Sequence, residues 1–271
     1  MPEITIPPNL DAILNRAWET ASTVPGFLTE AEARFLAMAA ALTPAAGEIV
    51  EIGSFKGKST VMLGLLARNY ALPPVVAIDP HNFNNTELHL HRDTPAATTF
   101  DEFTANLRAA GVTDFVEARR QYSLDAAKDW TRPIRLLWID GDHSLEGARG
   151  DFESFLGHLQ PGGIVAFHDA LHEFEGPIRV FVEQVLRSDH FGAAGFVGSI
   201  AWAQYRPECG ARFRDSRLRL DRIASRLIPS VSCGKPLRGL AKLRYKFNRS
   251  RMPRQLPAPT AFAKSLQAAG K

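Results

Sequence analysis

The sequence predicts an α/β protein built on a doubly wound, mostly parallel sheet with helices on both faces. Short apolar runs alternate along the chain with helical segments, which is typical of parallel strands joined by crossover helices. A chain of 271 residues, 45% of them hydrophobic, is long enough to bury such a core. The polar motifs follow the ends of predicted strands, where ligands bind in sheets of this kind.

The predicted elements begin with an N-terminal helical cap over residues 1–45. A helix over 10–22 precedes a second helix that begins at the capping box Thr29–Glu32 and runs through Leu42. The doubly wound domain is predicted over 46–205. Its strands are expected at 48–53, 74–79, 115–119, 134–140, 163–168 and 193–204, and its helices at 58–69, 99–110, 123–130, 144–159 and 177–187.

The charge of the chain is divided near residue 205. Residues 1–204 contain 15 Lys and Arg against 26 Asp and Glu, whereas residues 205–271 contain 17 against 3. We therefore predict a basic, partly helical extension over 206–271. Its end, from Pro257 onward, is predicted to be disordered.

Three interpretations stay open for this extension. It packs on the acidic surface of the domain, within one subunit or across a homodimer, or residues 206–254 lie on an anionic membrane surface. The third, contact with nucleic acid, is disfavoured because few aromatic residues interleave the arginines. No apolar run of about 18 residues and no apolar leader occur, and the two cysteines form no framework. We expect a cytoplasmic protein, peripheral to a membrane if the extension binds one.

The most informative stretch is residues 48–60, where a strand ends in Glu51 and a glycine loop leads into a helix. Gly53 and Gly57 let backbone N–H groups approach a ligand at a helix N-terminus. The spacing fits neither the dinucleotide fingerprint nor the phosphate-binding P-loop, for which the loop is one residue too short. Asp79 ends the next strand, where nucleotide-type folds hold a ribose diol. Glu51-x-Gly53 instead fits the acidic-x-Gly loop of S-adenosylmethionine (SAM) sites, so we predict an adenosine-containing cofactor.

Two neighbouring strands end in acids and histidines at the same edge of the predicted sheet. Asp140, Asp142 and His143 follow one strand, and His168 and Asp169 follow the next. Oxygen and imidazole donors from Asp140, His168 and Asp169 are predicted to converge on one divalent cation, Mg²⁺ or Mn²⁺. The alternative is that these side chains only cap strand ends.

A loop over residues 81–98 is long for a compact domain, and we expect a lid or a substrate-facing segment. Its histidines, at positions 81, 89 and 91, are metal-ligand candidates, although solvated loop histidines are the commoner case. Trp18, Phe27 and Phe83 are candidates for the lining of an acceptor pocket.

Together these motifs resemble class I SAM-dependent methyltransferases, in particular the small metal-dependent O-methyltransferases related to macrolide-sugar and cephalosporin-tailoring enzymes. The resemblance covers about residues 24–205 and implies a Rossmann-like sheet of seven strands. The motifs that carry it are Glu51-Ile-Gly53-x-x-x-Gly57-x-Ser59, Asp79, Asp140-Gly-Asp-His143 and Pro-Gly-Gly…His168-Asp169.

The resemblance also implies roles for single residues. Asp79 would accept hydrogen bonds from the ribose hydroxyls, and Ser123 would lie at the adenine edge. His143 would be the general base, with Asp142 as its orienting group or as a further ligand. The methionine end of SAM would be surrounded by Glu51, Gly53, Ser54, Gly57 and Ser59. The metal would be held by Asp140, His168 and Asp169, although His168 stands where that branch carries an acid.

The predicted function is therefore transfer of the SAM methyl group to a hydroxyl of a small molecule or glycan, assisted by a divalent metal. Two alternatives stay open: an N- or C-methyltransferase on the same fold, and a catalytically silent SAM-binding module that acts through its basic tail.

Overall fold

The computed structural model describes residues 3–82, 98–232 and 236–268, and a seven-stranded sheet forms its centre. The order across the sheet is β3-β2-β1-β4-β5-β7-β6, with β1 to β5 parallel and β7 antiparallel to both neighbours. The strands are β1 (Glu48–Ile52), β2 (Val75–Ile78), β3 (Val116–Arg119), β4 (Ile134–Ile139), β5 (Leu159–Phe167), β6 (Phe191–Val197) and β7 (Ile200–Tyr205). The predicted doubly wound, mostly parallel Rossmann-like sheet is confirmed.

Helices cover both faces of the sheet, and each face has its own apolar cluster. Among the described helices, none combines the length and the apolar character that spanning a bilayer requires. The helices are α1 (Leu10–Ala21), α2 (Glu30–Leu42), α3 (Lys58–Tyr70), α4 (Phe100–Ala109), α5 (Ser123–Lys128), α6 (Leu145–Leu156), α7 (Glu175–Val180), α8 (Arg214–Ala224), α9 (Ile228–Val231), α10 (Gly239–Ser250) and α11 (Pro259–Gln267).

The central strands form because their side chains are apolar on both faces. Every residue of β4 is buried, as are four of the five residues of β1, which is the pattern of parallel strands covered by helices. β1 pairs with β2 on one side and with β4 on the other, so the strand order reverses beside β1. A ligand crevice is expected at the carboxyl ends of strands at this point.

The predicted capping box is present at the start of α2. The Thr29 hydroxyl accepts from the backbone N–H of Glu32, and Glu32 Oε2 accepts from the Thr29 backbone N–H at 3.0 Å. Helices α1 and α2 pack into the same apolar cluster as α3 and the sheet. The division of the chain at residues 46 and 206 stays a prediction.

Two sequence predictions are wrong at the C-terminal side. The single strand predicted over 193–204 is the hairpin of β6 and β7, which turns at Gly198 with a left-handed φ of +59°. The end of the chain, predicted as disordered, forms α11, and Phe262 in it is 1% exposed. A proline at the first position of a helix has no hydrogen bond to lose, so Pro259 starts α11 rather than preventing it.

Candidate active site

The glycine loop between β1 and α3 follows a tightly constrained path. Gly53 and Gly57 have left-handed φ values of +85° and +90°, and Phe55 between them has a φ of +48°. A Cβ atom at Gly53 would lie 2.2 Å from the backbone oxygen of Asp140. The loop therefore rests directly on the end of β4, which requires glycine at position 53.

Asp79, at the end of β2, holds this loop from the side. Its Oδ2 accepts hydrogen bonds from the backbone N–H groups of Ser54 and Phe55, both at 2.8 Å. Its Oδ1 accepts from the backbone N–H of His81 at 2.6 Å. A carboxylate offers about four acceptor positions, so the predicted role toward a ribose hydroxyl and this loop-supporting role are compatible.

Glu51 lies beneath the loop rather than in the crevice. It is fully buried and accepts hydrogen bonds from the hydroxyls of Ser59 and Thr60. Burial raises the pKa of Glu51 to about 8; those hydrogen bonds oppose the rise, and the charges of Asp140 and Asp79 add to it. In these contacts Glu51 supports the loop from below, and its predicted place at the methionine end of SAM stays a prediction.

Ser123 begins α5 and meets an acid that the sequence analysis missed. Its hydroxyl donates to Asp151 of α6, which is 4% exposed and lines the same cavity. Burial raises the pKa of Asp151 to about 6, although the hydrogen bond from Ser123 opposes this. The sequence contains one signal of this contact: Asp151 is the only acid among the buried residues of α6.

The acids and histidines after β4 and β5 come together as a cluster. Donor atoms of Asp140, His143 and Asp169 all lie within 4.8 Å of one another. His143 Nε2 is 3.5 Å from Asp140 Oδ1 and 3.7 Å from Asp169 Oδ2, and it has no hydrogen-bond partner among the described residues. The imidazole stacks on Phe174, with ring centres 4.6 Å apart. Burial alone would lower the pKa of His143, but the two carboxylates outweigh burial and raise it.

His168 lies beside the acids of the cluster and also faces a further acid. Its Nδ1 is 3.0 Å from Asp140 Oδ1, while its Nε2 lies 3.8 Å from Glu32 Oε2 on the other side. Burial disfavours its charge, but these acids raise the pKa of His168 well above the usual value. His168 therefore faces Asp140 and Asp169 with Nδ1 and Glu32 with Nε2, while His143 completes the triad of convergent donor atoms. The metal set of Asp140, His168 and Asp169 stays a prediction.

Glu32 is the second functional candidate that sequence reasoning missed, because its capping-box role was recognised and its other contacts were not. Its Oε1 accepts from the backbone N–H and the hydroxyl of Ser199 in the β6–β7 turn. The Ser199 hydroxyl also lies 3.3 Å from Asp169 Oδ1. Glu32 thus joins α2 and the hairpin to the cluster.

Asp142 lies at the start of α6. Its two oxygens accept hydrogen bonds from the backbone N–H and the hydroxyl of Ser144, at 2.8 and 2.9 Å. The Ser144 hydroxyl in turn accepts from the backbone N–H of Gly147. This network fixes the first turn of α6 and the adjacent loop that carries His143. The role predicted for Asp142 toward His143 stays a prediction.

One cavity of about 1020 Å³ joins the glycine loop to the acid–histidine cluster. Its outer rim is aromatic and includes Phe27, which stacks on Phe55 with ring centres 6.2 Å apart. A cavity of this size holds a nucleoside and a second small ligand. The predicted site residues that line it are Gly53, Ser54, Ser59, Asp79, Ser123, Asp140, Asp142, His143, His168 and Asp169.

Of the loop over 81–98, residues 83–97 lie outside the described residues, so His89, His91 and Phe83 are not placed. His81 is buried, with Nδ1 2.9 Å from the Thr99 hydroxyl oxygen. Its ring packs against Phe100 and Phe103. His81 therefore has the contacts of a core residue and not those of the metal ligand for which it was a candidate.

Part of the chain is similar to known proteins. Residues 50–170 match a family model described as "Methyltransferase domain". A stretch of 125 residues, 44% of this chain, is 29% identical to "Uncharacterized protein R132" of Acanthamoeba polyphaga mimivirus. That match covers 50% of the viral protein, so this chain spans about half the length of the relative.

Solved structures resemble the fold. The O-methyltransferase from Bacillus cereus in complex with SAH is 21% identical, with a TM-score of 0.51 over 75% of this chain and 93% of that one. The O-methyltransferase NovP is 14% identical, with a TM-score of 0.57 over 73% of this chain and 98% of that one. At these identities the likeness is one of fold.

Proposed function

We propose that this protein is an enzyme that transfers the SAM methyl group to a hydroxyl oxygen, since residues 50–170 match a methyltransferase family model and the fold resembles that of the O-methyltransferase from Bacillus cereus. The acceptor is a small molecule or a glycan. One observation carries the proposal: the glycine loop and the cluster of Asp140, His143 and Asp169 open into the same cavity. A cofactor on the loop and an acceptor at the cluster would therefore share one enclosed space.

The loop side of the cavity suits a nucleoside cofactor. When bound, SAM supplies a methyl group that is already activated on a sulfonium. Gly53 and Ser54 bring backbone close to the cavity without a bulky side chain, and Asp79 keeps an acceptor position for a ribose hydroxyl. Ser123 and Asp151 supply the polar groups toward α5 and α6. The Bacillus cereus enzyme, whose structure contains SAH, supports this assignment of the cofactor.

His143 is the proposed general base. Its Nε2 is buried, faces two carboxylates and has no described hydrogen-bond partner, so it is available to an acceptor hydroxyl. Phe174 fixes the plane of the imidazole by stacking. After proton uptake, the imidazolium is stabilised by Asp140 and Asp169, which also explains its raised pKa.

We also propose that a divalent cation binds at the cluster of Asp140, His143 and Asp169. The donor set of two carboxylates and one imidazole, with atoms within 4.8 Å and an unpaired Nε2, fits such an ion. The imidazole favours Mn²⁺ over Mg²⁺. Asp140, His143 and Asp169 would hold the ion, which would lower the pKa of an acceptor hydroxyl. His143 cannot be ligand and base at once, so the two roles are competing versions of the mechanism.

Binding and transfer assays on His143→Ala test the proposal. We expect calorimetry to detect SAM and SAH but not ATP, with affinities unchanged in the variant, because His143 contacts the acceptor side. Methyl transfer from labelled SAM to a panel of sugar and phenolic hydroxyls should fall about 10²- to 10⁴-fold, the usual contribution of a general base. His190→Ala, an exposed histidine outside the cavity, is the matched control.

The outcomes separate the versions of the mechanism. Loss of transfer with chelator and recovery with Mn²⁺ would support a metal ligand role for His143, whereas chelator-insensitive transfer would support the base alone. Equal turnover in His143→Ala and wild type would exclude both roles. Binding of ATP without binding of SAM would overturn the proposed cofactor.

A further inference from the structure

Helix α10, in the basic C-terminal extension, exposes a stripe of large apolar side chains. Leu240 is 84% exposed, Leu243 is 63% exposed and Phe247 is 59% exposed. At 3.6 residues per turn, these three positions lie along one side of the helix. Single exposed apolar residues are common, but a continuous row of them is typical of an interaction surface.

The opposite side of α10 is fixed to the protein, which forces the stripe outward. Tyr245 is 2% exposed, and its hydroxyl donates to the backbone oxygen of His172 at 2.5 Å. Asn248 Nδ2 donates to the backbone oxygen of Arg226 at 3.3 Å. Met252, just beyond the helix, is also buried. The helix therefore has a buried inner side and a separate apolar outer side.

Cations border the stripe on both sides. Helical geometry places Lys246 along one edge of the stripe, and Arg244 and Arg251 along the other. The Arg251 guanidinium lies 4.8 Å from the centre of the Phe247 ring. The sequence from residue 222 to the end contains no Asp or Glu. This surface is thus an apolar row with positive charge on both sides.

We propose that α10 docks on the anionic surface of a lipid membrane. The three apolar side chains would enter the boundary between headgroups and acyl chains, while the lysines and arginines meet headgroup phosphates. Charge decides between this partner and the others. A second copy would bring two basic helices together, which repulsion opposes, and nucleic acid would use the cations but leave the apolar row in water.

Docking through α10 would bring the cavity close to the membrane. Tyr245 binds the backbone of His172, and Lys242 Nζ is 3.9 Å from Glu173. His172 and Phe174, on either side of Glu173, line the cavity. The proposed anchor and the cavity rim are therefore one packed unit, although docking itself does not depend on methyl transfer.

Vesicle flotation with the full chain tests the proposal. We expect the protein to float with vesicles of phosphatidylcholine and phosphatidylglycerol, to bind vesicles of phosphatidylcholine weakly, and to dissociate as salt is raised. The variant Leu240→Ser/Leu243→Ser/Phe247→Ser should lose flotation. Its three sites are exposed, so circular dichroism and SAM titration should match those of the wild type.

A pair of charge variants locates the contact. Arg244→Gln/Lys246→Gln removes two charges beside the stripe, and Arg219→Gln/Arg222→Gln removes two exposed charges from α8. We expect the partition coefficient to fall about 30-fold for the first pair, since each basic side chain at an anionic surface contributes roughly fivefold. The second pair should change it by at most a few-fold.

Three results would overturn the proposal. The serine variant could float as well as the wild type, which would show that docking does not use the stripe. Both charge variants could lose binding equally, which would show that the contact is not localised on α10. A dimer that the serine variant converts to a monomer in ultracentrifugation, with no flotation of either protein, would identify a second copy as the partner instead.

Discussion

At the scale of single residues, two histidines of similar sequence context have different environments. His143 and His168 each follow a strand and lie beside acids, and the sequence assigned one to proton transfer and the other to a metal. In the structure both rings line the cavity and both Nε2 atoms lack a hydrogen-bond partner among the described residues, but the Nε2 of His168 faces Glu32, whereas the Nε2 of His143 faces Asp140 and Asp169. The backbone of Asp169, at a left-handed φ of +53°, turns its carboxylate toward the cluster. Strain of this kind in a non-glycine residue is typical of functional sites.

Glu51 is a second residue whose environment the sequence pattern does not specify. Its position in the acidic-x-Gly pattern was recognised, but its burial beneath the loop was not, because that depends on how Ser59 and Thr60 of α3 approach it. A buried acid with a raised pKa holds a proton in the folded state that it loses in the unfolded chain. This gives a stability contribution with a definite pH dependence.

We predict that Glu51→Gln flattens the pH dependence of stability between pH 5 and pH 8. The folded pKa of about 8 exceeds the usual value of 4.5. The stabilisation is therefore complete below pH 4.5 and is lost as pH rises toward 8, at up to about 1.4 kcal/mol per pH unit. Urea unfolding of both proteins at several pH values measures the difference. Parallel curves would mean that Glu51 is ionised in the fold.

At the scale of elements, the glycine loop is held between β1, β2 and β4. Asp79 accepts from the loop backbone on one side, and the backbone of Asp140 touches Gly53 on the other. Both neighbours are themselves proposed site residues. A shift of this loop would therefore displace both Asp79 and Asp140, which line the cavity.

We expect Gly53→Ala to destabilise the protein by at least about 2 kcal/mol, and to weaken SAM binding at least about tenfold. The added Cβ meets the Asp140 oxygen, and alanine disfavours the left-handed φ. Gly157→Ala is the matched control, because its φ is −62° and a Cβ there meets nothing within 4 Å. Thermal unfolding and calorimetry compare the two. Equal effects would show that the loop tolerates a side chain.

The elements also show where periodicity is informative. The apolar runs of β1 to β5 were predicted because each is bounded by turn residues and followed by a helix. The run over 193–204 was not divided, since Gly198 and Ser199 interrupt it with only two small residues. At α11 the prolines were interpreted as breakers, although one of them is the first residue of the helix.

At the scale of the whole molecule, much of the site was predictable because parallel strands direct their carboxyl ends to one edge. Asp79, Asp140, His143 and Asp169 meet in one cavity for that reason. Glu32 and Asp151 were missed because they lie on helices α2 and α6 and not at the ends of strands. Which side of a helix faces a cavity depends on packing between distant segments, which no local pattern specifies.

The basic extension is part of the fold rather than a separate arm. Arg217 is 1% exposed and donates to the backbone oxygens of Leu186, Phe191 and Gly210. Arg206 Nη2 donates to the backbone oxygen of Leu266 in α11. Two of the cations in the extension thus satisfy backbone groups, and the exposed charges on α10 stay available to a partner.

Two phenylalanines of the extension make the final prediction, since they differ mainly in burial. Phe262 of α11 packs against Phe35 and Trp202, with ring centres 5.5 and 5.1 Å away, whereas Phe247 of α10 is 59% exposed. We expect Phe262→Ala to lower the free energy of unfolding by about 3–5 kcal/mol, and Phe247→Ala to change it by less than about 0.5 kcal/mol. Chemical denaturation measures both. If Phe262→Ala were neutral as well, α11 would not belong to the folded core.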